Sequence, residues 1–206
     1  MILGPKILLQ LVKKVKLVEG LSKRELTDPE GAGFDLRLGE VYKISGKSYL
    51  GITERHTPEV KLVAKYEEPR HPGVATTTIG SSKKDSIASL QNDKKIRTKS
   101  ITFKPGDFFL VKTIETINLP VDMSATILPR STTYRSGLFL RTGNVQPGYS
   151  GGLIFGLKNE GPVPVTIELG ARFVHIQFHE VKGGGSTYRG QWQGGRVTTK
   201  KKEKQV

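Results

Sequence analysis

Apolar residues in the first twenty positions recur at helical spacing. Leu8, Leu9, Leu11, Val12 and Val15 repeat beside the basic Lys13, Lys14 and Lys16, and Gly20 supplies a stop, so a helix is predicted within residues 1–19. At residues 31–39 the period becomes two. Phe34, Leu36 and Leu38 alternate with Asp35 and Arg37, the pattern of a half-buried strand. The regularity is lost from 46 to 98, where Pro58, Pro69, Pro72 and Gly73 punctuate the chain and residues 76–84 and 91–99 are polar. That stretch reads as a loop-rich insertion, with 49–52 and 60–63 as candidate short strands. Short strands then return at 101–103, 108–111, 113–117, 125–128, 138–142, 152–157, 163–169 and 172–181, separated by turns such as Lys-Pro-Gly-Asp at 104–107 and Leu-Pro-Val-Asp at 119–122. Strands this short and this evenly punctuated predict a mainly β fold, a distorted barrel or jelly roll behind an N-terminal helix.

The end of the chain is patterned differently. Residues 183–195 hold six glycines, with Tyr188 and Trp192 as the large side chains, and read as a flexible arm. Arg196, Lys200, Lys201, Lys202 and Lys204 follow as a basic, flexible tail over 196–206. The expected organisation is a single domain over 1–195, interrupted by the insertion at 46–98, and then the tail. A length of 206 residues suits one substantial core.

Composition narrows the chemistry. Cysteine is absent, which excludes disulfides and cysteine–zinc sites, and the four histidines are scattered. The apolar run at 7–12 ends far short of the roughly 20 residues of a membrane span, so a soluble, cytoplasmic protein is expected. A formal net charge of +14 calls for polyanionic partners. Nucleic-acid binding needs aromatic side chains beside the charge, and the lysine-rich runs at 83–99 and 200–204 have none, which favours a free nucleotide as partner.

Three polar, glycine-rich segments sit between the patterned strands. Residues 129–137 (Pro-Arg-Ser-Thr-Thr-Tyr-Arg-Ser-Gly) offer Arg130 and Arg135 around the hydroxyls of Ser131, Thr132 and Thr133. Guanidinium forks match phosphate oxygens two at a time, and hydroxyls add short bonds to the same anion. Residues 142–152 (Thr-Gly-Asn-Val-Gln-Pro-Gly-Tyr-Ser-Gly-Gly) let backbone approach a ligand closely, and Tyr149 offers a ring face to a sugar or base. Residues 188–194 (Tyr-Arg-Gly-Gln-Trp-Gln-Gly) form an arm able to close over a bound nucleotide. Each alone also fits a solvated turn, an ordinary hairpin or a loose tail.

Together, their order and spacing resemble the dCTP deaminase and dUTPase superfamily, closest to its archaeal dUTPase branch, over residues 31–45 and 101–195. Gly-Phe-Asp-Leu-Arg-Leu-Gly at 33–39 resembles the first motif, residues 129–138 the phosphate loop, and Pro-Gly-Tyr-Ser-Gly at 147–151 the hairpin over the deoxyribose. Gly-Ala-Arg-Phe-Val-His-Ile-Gln-Phe at 170–178 resembles a following strand, and 188–194 the closing arm. The resemblance implies a dUTPase-like barrel, a homotrimer with sites shared between subunits, and Mg²⁺ bridging the phosphates of a deoxynucleoside triphosphate. It further implies phosphate contacts from Arg130, Ser131, Thr132 and Arg135, and a sugar contact from Tyr149. Base contacts fall to the backbone around Ile154, Phe155 and Gly156, and arm contacts to Tyr188 and either Gln191 or Gln193.

Two positions depart from the family. Where its hydrolases hold the attacking water with an aspartate, this chain has Gln146, whose amide orients water but takes no proton. Where its deaminases place a proton-shuttling glutamate, this chain has Gly156. Asp35 and Glu160 are the other carboxylates considered for the site. The expected function is Mg²⁺-dependent hydrolysis of dUTP to dUMP and pyrophosphate, with Gln146, Ser131 and Arg135 as the catalytic set, because phosphoryl chemistry rests more on positioning than on a strong base. The alternatives are a nucleotide-binding homologue with little catalysis, a nucleic-acid-binding protein and, last, a dCTP deaminase.

Overall fold

The computed structural model describes residues 1–68, 99–199 and 201–204. It is mainly β, as expected, and every strand pairing among the described residues is antiparallel. Helix α1 (Pro5–Val15) starts on a proline, whose missing N–H costs nothing in a first turn, and ends on Lys16 in the left-handed region. Lys13 and Lys14 stand in its last turn, where cations suit the negative end of the helix. Its Leu8 is fully buried, and Leu9, Leu11 and Val12 pack against the core. The predicted helix thus stops at Val15, and Val18–Glu19 instead form β1 on the sheet. A short helix, α2 (Lys23–Thr27), is capped by the Ser22 hydroxyl, which accepts from the Glu25 N–H.

The strands that follow are β2 (Phe34–Ser45), β3 (Tyr49–Leu50), β4 (Glu54–His56), β5 (Glu59–Lys65), β6 (Ser100–Phe103), β7 (Phe108–Asn118) and β8 (Met123–Pro129). After the one-turn helix α3 (Ser131–Arg135) come β9 (Leu138–Arg141), β10 (Ser150–Asn159), β11 (Val165–Glu168), β12 (Arg172–Glu180) and β13 (Glu203–Lys204). The main sheet runs β8-β12-β2-β7-β10-β9, with β1 added to β7 and β5 to β2, and curls into a nearly closed barrel. Its interior is filled by Phe34, Leu36, Leu38, Val111, Ile117, Leu157, Ile176 and Phe178, all fully buried. Two smaller sheets, β11-β6 and β13-β4-β3, complete the structure.

Three expectations change. The separate strands at 108–111 and 113–117 are one strand, because Lys112 faces outward, paired with Glu40 and Ile154, and does not break the ladder. The half-buried strand at 34–38 is buried on both faces: Asp35 is inside, held by cations, and Arg37 gives its N–H and Nε–H to the fully buried Glu115 at 2.9 and 2.7 Å. The described part of the basic tail is paired. Thr199 is buried, and β13 pairs with β4 (Glu203 opposite Arg55) within the insertion. Most of the insertion's polar part, 69–98, lies outside the described residues, as do Lys200 and residues 205 and 206. No helix among the described residues is long and apolar enough to cross a membrane.

Candidate functional site

The hairpin ahead of β10 is built on one glycine. Val145 bridges to Ala125 of β8, and the chain then turns at Gln146-Pro-Gly-Tyr149, with the Tyr149 N–H reaching the Gln146 carbonyl at 3.1 Å. Gly148 makes this turn at φ 74°, a conformation that strains any side chain, and its N–H is bound by the Leu119 carbonyl. The Tyr149 ring is buried, its hydroxyl donates to the Gly152 carbonyl at 2.8 Å, and its edge meets Tyr188 with centroids 5.7 Å apart. Burial, with the neighbouring Tyr188 adding to it, pushes the Tyr149 phenol up to about 12, so it serves as a neutral donor. Beyond the turn, β10 bulges between Gly152 and Ile154, and the Thr113 hydroxyl accepts the displaced Leu153 N–H at 3.1 Å.

The glycine-rich arm lies on this hairpin. The Tyr188 and Gly194 N–H groups bond the Pro147 and Ser150 carbonyls, each at 2.7 Å. Gln193 accepts from the Ser150 N–H at 3.1 Å and donates to the Gly148 carbonyl at 3.0 Å, while Gln191 turns away to Arg55 and the Lys204 carbonyl. Between arm and sheet is a cavity of about 410 Å³. Leu110, Leu153, Ile154 and Phe155 line it from the sheet, and residues 142–146 with Tyr149 from the hairpin. Tyr188 and Trp192 contribute from the arm. Thr57 and Pro58 of the insertion and Arg196 and Val197 of the tail complete it. Among the described residues, the lining contains no carboxylate and no histidine. Gln146 lines it and is exposed.

The predicted site residues therefore divide into groups. Gln146, Tyr149, Ile154, Phe155 and Tyr188 meet at the cavity; Arg130, Ser131, Thr132 and Arg135 do not. Ala125 is beside the cavity-lining Val145, and Arg130 follows five residues later, just past the end of β8, roughly 16 Å on at about 3.3 Å per residue. There Arg130 Nε is 2.9 Å from Asp35, which also takes Arg172 at 3.0 Å and His175 Nδ1 at 3.0 Å. Burial would raise the Asp35 carboxyl, but the His175 hydrogen bond and the Arg130 and Arg172 charges outweigh it and hold Asp35 below its ordinary range. On α3, Ser131 and Arg135 share hydrogen bonds with the exposed Tyr134 phenol and lower it, while the buried Thr133 hydroxyl is spent on the Phe173 carbonyl at 2.7 Å. Glu160, the other carboxylate considered, pairs with Arg141 at 3.0 Å, away from the cavity lining. At Gly156, an added Cβ would stand 2.7 Å from the Phe108 ring and 3.3 Å from Arg141 Cβ, so Phe108 occupies the space of a side chain.

The wall formed by Thr57, Pro58, Arg196 and Val197 escaped the sequence reading. Its signal was the β-branched run Val197-Thr-Thr199, unusual inside a basic tail and matched by Thr57 in the insertion.

The dCTP deaminase-like family profile matches residues 6–181. The chain belongs to this family. Among its relatives, a dCTP deaminase, dUMP-forming, of Dictyoglomus thermophilum is 28% identical over 158 residues, 74% of this chain and 66% of its own. A probable deoxyuridine 5'-triphosphate nucleotidohydrolase of Methanothermobacter thermautotrophicus is 28% identical over 169 residues, 82% of this chain and 89% of its own. The crystal structure of 2'-deoxycytidine 5'-triphosphate deaminase from Agrobacterium tumefaciens superposes with a TM-score of 0.57 at 18% identity, over 87% of this chain. That likeness supports the fold, and this chain spans 48% of that deaminase chain and just under two thirds of the Dictyoglomus relative. These relatives bear the names of deoxynucleotide-converting enzymes.

Proposed function

We propose that this protein is a dUTP diphosphatase, cleaving dUTP to dUMP and pyrophosphate, and that it does not deaminate dCTP. The observation that carries the second half is Gly156 with the Phe108 ring against it. Deamination needs a group that delivers a proton to the departing ammonia, and among the described residues of this chain no carboxylate or histidine lines the cavity. Hydrolysis asks less. The apolar sheet and Tyr149 take the base and deoxyribose, and the Gln146 amide holds a water toward the α-phosphorus by hydrogen bonding. Water attacks that phosphorus, the bond to the bridging oxygen breaks, pyrophosphate leaves, and the proton passes to solvent.

The separation between the cavity and Arg130, Ser131, Thr132 and Arg135 supports a site shared between copies. In a homotrimer, the arginines of one subunit hold the triphosphate of a nucleotide seated in its neighbour's cavity and offset the charge that develops as pyrophosphate departs. Among the described residues, no group of three metal-binding side chains forms and none lining the cavity is a carboxylate. A protein-held magnesium site does not fit the described residues; a magnesium ion bound with the triphosphate would supply charge neutralisation there.

Incubation with each deoxynucleoside triphosphate and Mg²⁺, with pyrophosphate and ammonia assayed separately, tests the reading. Pyrophosphate from dUTP without ammonia from dCTP is expected, and ammonia from dCTP overturns it. Gln146 favours a second reading, a nucleotide-binding protein with little catalysis, which takes over if dUTP binds and no pyrophosphate appears.

A further inference from the structure

The insertion and the end of the chain meet at the arm, although they lie about 140 residues apart. The Arg55 Nε–H donates to the Gln191 Oε1, and the Arg55 guanidinium stands over the Trp192 ring, 5.9 Å from its centroid. The Gln191 amide in turn donates to the Lys204 carbonyl at 2.7 Å, next to the β13–β4 ladder. A second fastening lies one turn of chain away. The Thr57 N–H bonds the Thr199 hydroxyl at 3.0 Å, the Thr199 N–H bonds the Thr57 hydroxyl at 2.9 Å, and Thr199 is buried. The Thr198 hydroxyl adds a bond to the Pro58 carbonyl at 2.8 Å. Thr57, Pro58, Trp192 and Arg196 all line the cavity, so the fastened pieces are its own wall.

From these contacts we infer that the β4 strand of the insertion and residues 196–199 and 201–204 form a clasp that holds the arm closed over the cavity before any ligand binds, with Arg55 as the positioning residue at its centre. A chain with glycines at 183, 184, 185, 190, 194 and 195 loses much backbone freedom when it is ordered. The clasp moves that loss from the moment of binding to the moment of folding, so nucleotide meets a formed wall. Gln191 serves the clasp and Gln193 is spent on the hairpin at Ser150 and Gly148, so neither arm amide lines the cavity. The clasp does not depend on which nucleotide binds; only the kinetic part of its test rests on dUTP hydrolysis.

Hydrogen exchange on the full-length protein without nucleotide reads the clasp directly. The Tyr188 and Gly194 amides, bonded to the hairpin, are expected to be protected in the parent. In Arg55→Ala they should exchange on the order of 10-fold faster, as loss of one charge-assisted bond and a ring contact implies, while amides of β7 and β10 stay unchanged. Arg55→Lys should restore protection only in part, because the lysine ammonium lacks the planar fork. Thr57→Val, which leaves Arg55 in place, should loosen Gly194 in the same way. With dUTP and Mg²⁺, Arg55→Ala should raise KM about 10-fold at unchanged kcat, the mark of lost ordering before chemistry. An arm unprotected in the parent, or equally protected in Arg55→Ala and Thr57→Val, overturns the clasp. If the exchange results hold and no protein turns over dUTP, the clasp stands and the hydrolase reading falls.

Discussion

Replacing Asp35 with asparagine tests the charge cluster that anchors the loop after β8 at Arg130. The carboxylate is buried and meets Arg130 at 2.9 Å, Arg172 at 3.0 Å and His175 at 3.0 Å, while its own N–H bonds the buried Glu25 at 3.0 Å. Removing one partner of a buried ion pair costs about 3–5 kcal/mol. Arg130 and Arg172 are each 29% exposed, so water recovers part of that loss, and about 2–3 kcal/mol is the working figure. At roughly 2–4 °C per kcal/mol for a chain of this size, Tm should fall by about 4–12 °C. The pH dependence fixes the sign. Asp35 lies below its ordinary range, so its contribution is fully present above the unfolded carboxyl value of about 3.9 and disappears as pH falls through the folded value. Melting followed by circular dichroism should therefore show a constant gap between parent and Asp35→Asn from pH 5 to 8. Below about pH 3.9 the gap should narrow. A gap that persists undiminished into strong acid would refute the assignment of charge to Asp35.

Further tests concern the nucleotide. Arg130→Ala and Arg135→Ala should each weaken triphosphate binding by about 2 kcal/mol, roughly 30-fold in Kd by calorimetry, and parental affinity in both would remove the phosphate-loop role. Gln146→Asp should raise dUTP hydrolysis by up to about 10²-fold, because a carboxylate accepts the proton that the amide cannot; a slower enzyme would mean that Gln146 belongs to a differently built site. Gly156→Glu should lower stability by about 1–3 kcal/mol through its clash with Phe108, and pairing it with Phe108→Ala should recover much of the loss. Recovery that fails in the double variant would show that Phe108 is not what fills the position.

Much of the fold was legible because burial imposes a period. Phe34, Leu36 and Leu38 alternate in the sequence and are all fully buried, and Leu8, Leu9, Leu11 and Val12 mark the buried side of α1. Lys112 misled because a cation in an apolar run resembles a break, whereas here it sits on the outer face of a continuous strand. Asp35 and Arg37 carried the polar half of an alternation that normally faces water, and the buried Asp35 and half-buried Arg37 depend on Arg130, Arg172 and Glu115 from segments far away in sequence. Gln146 and Tyr149 of the hairpin and Tyr188 of the arm, singled out from the sequence, line one cavity. What local pattern could not carry was distance along β8, which parts Arg130 from that cavity, and the Thr57–Thr199 pairing, which turns an apparent tail into a wall.

Hydrolysis of dUTP in ¹⁸O-labelled water, with Mg²⁺ and products analysed by mass spectrometry, bears most directly on the proposed reaction. Attack at the α-phosphorus by a water held at Gln146 places the label in dUMP and leaves pyrophosphate unlabelled, while dCTP in the same buffer yields neither ammonia nor a uracil nucleotide. Label in pyrophosphate, or a uracil nucleotide from dCTP, would contradict the account.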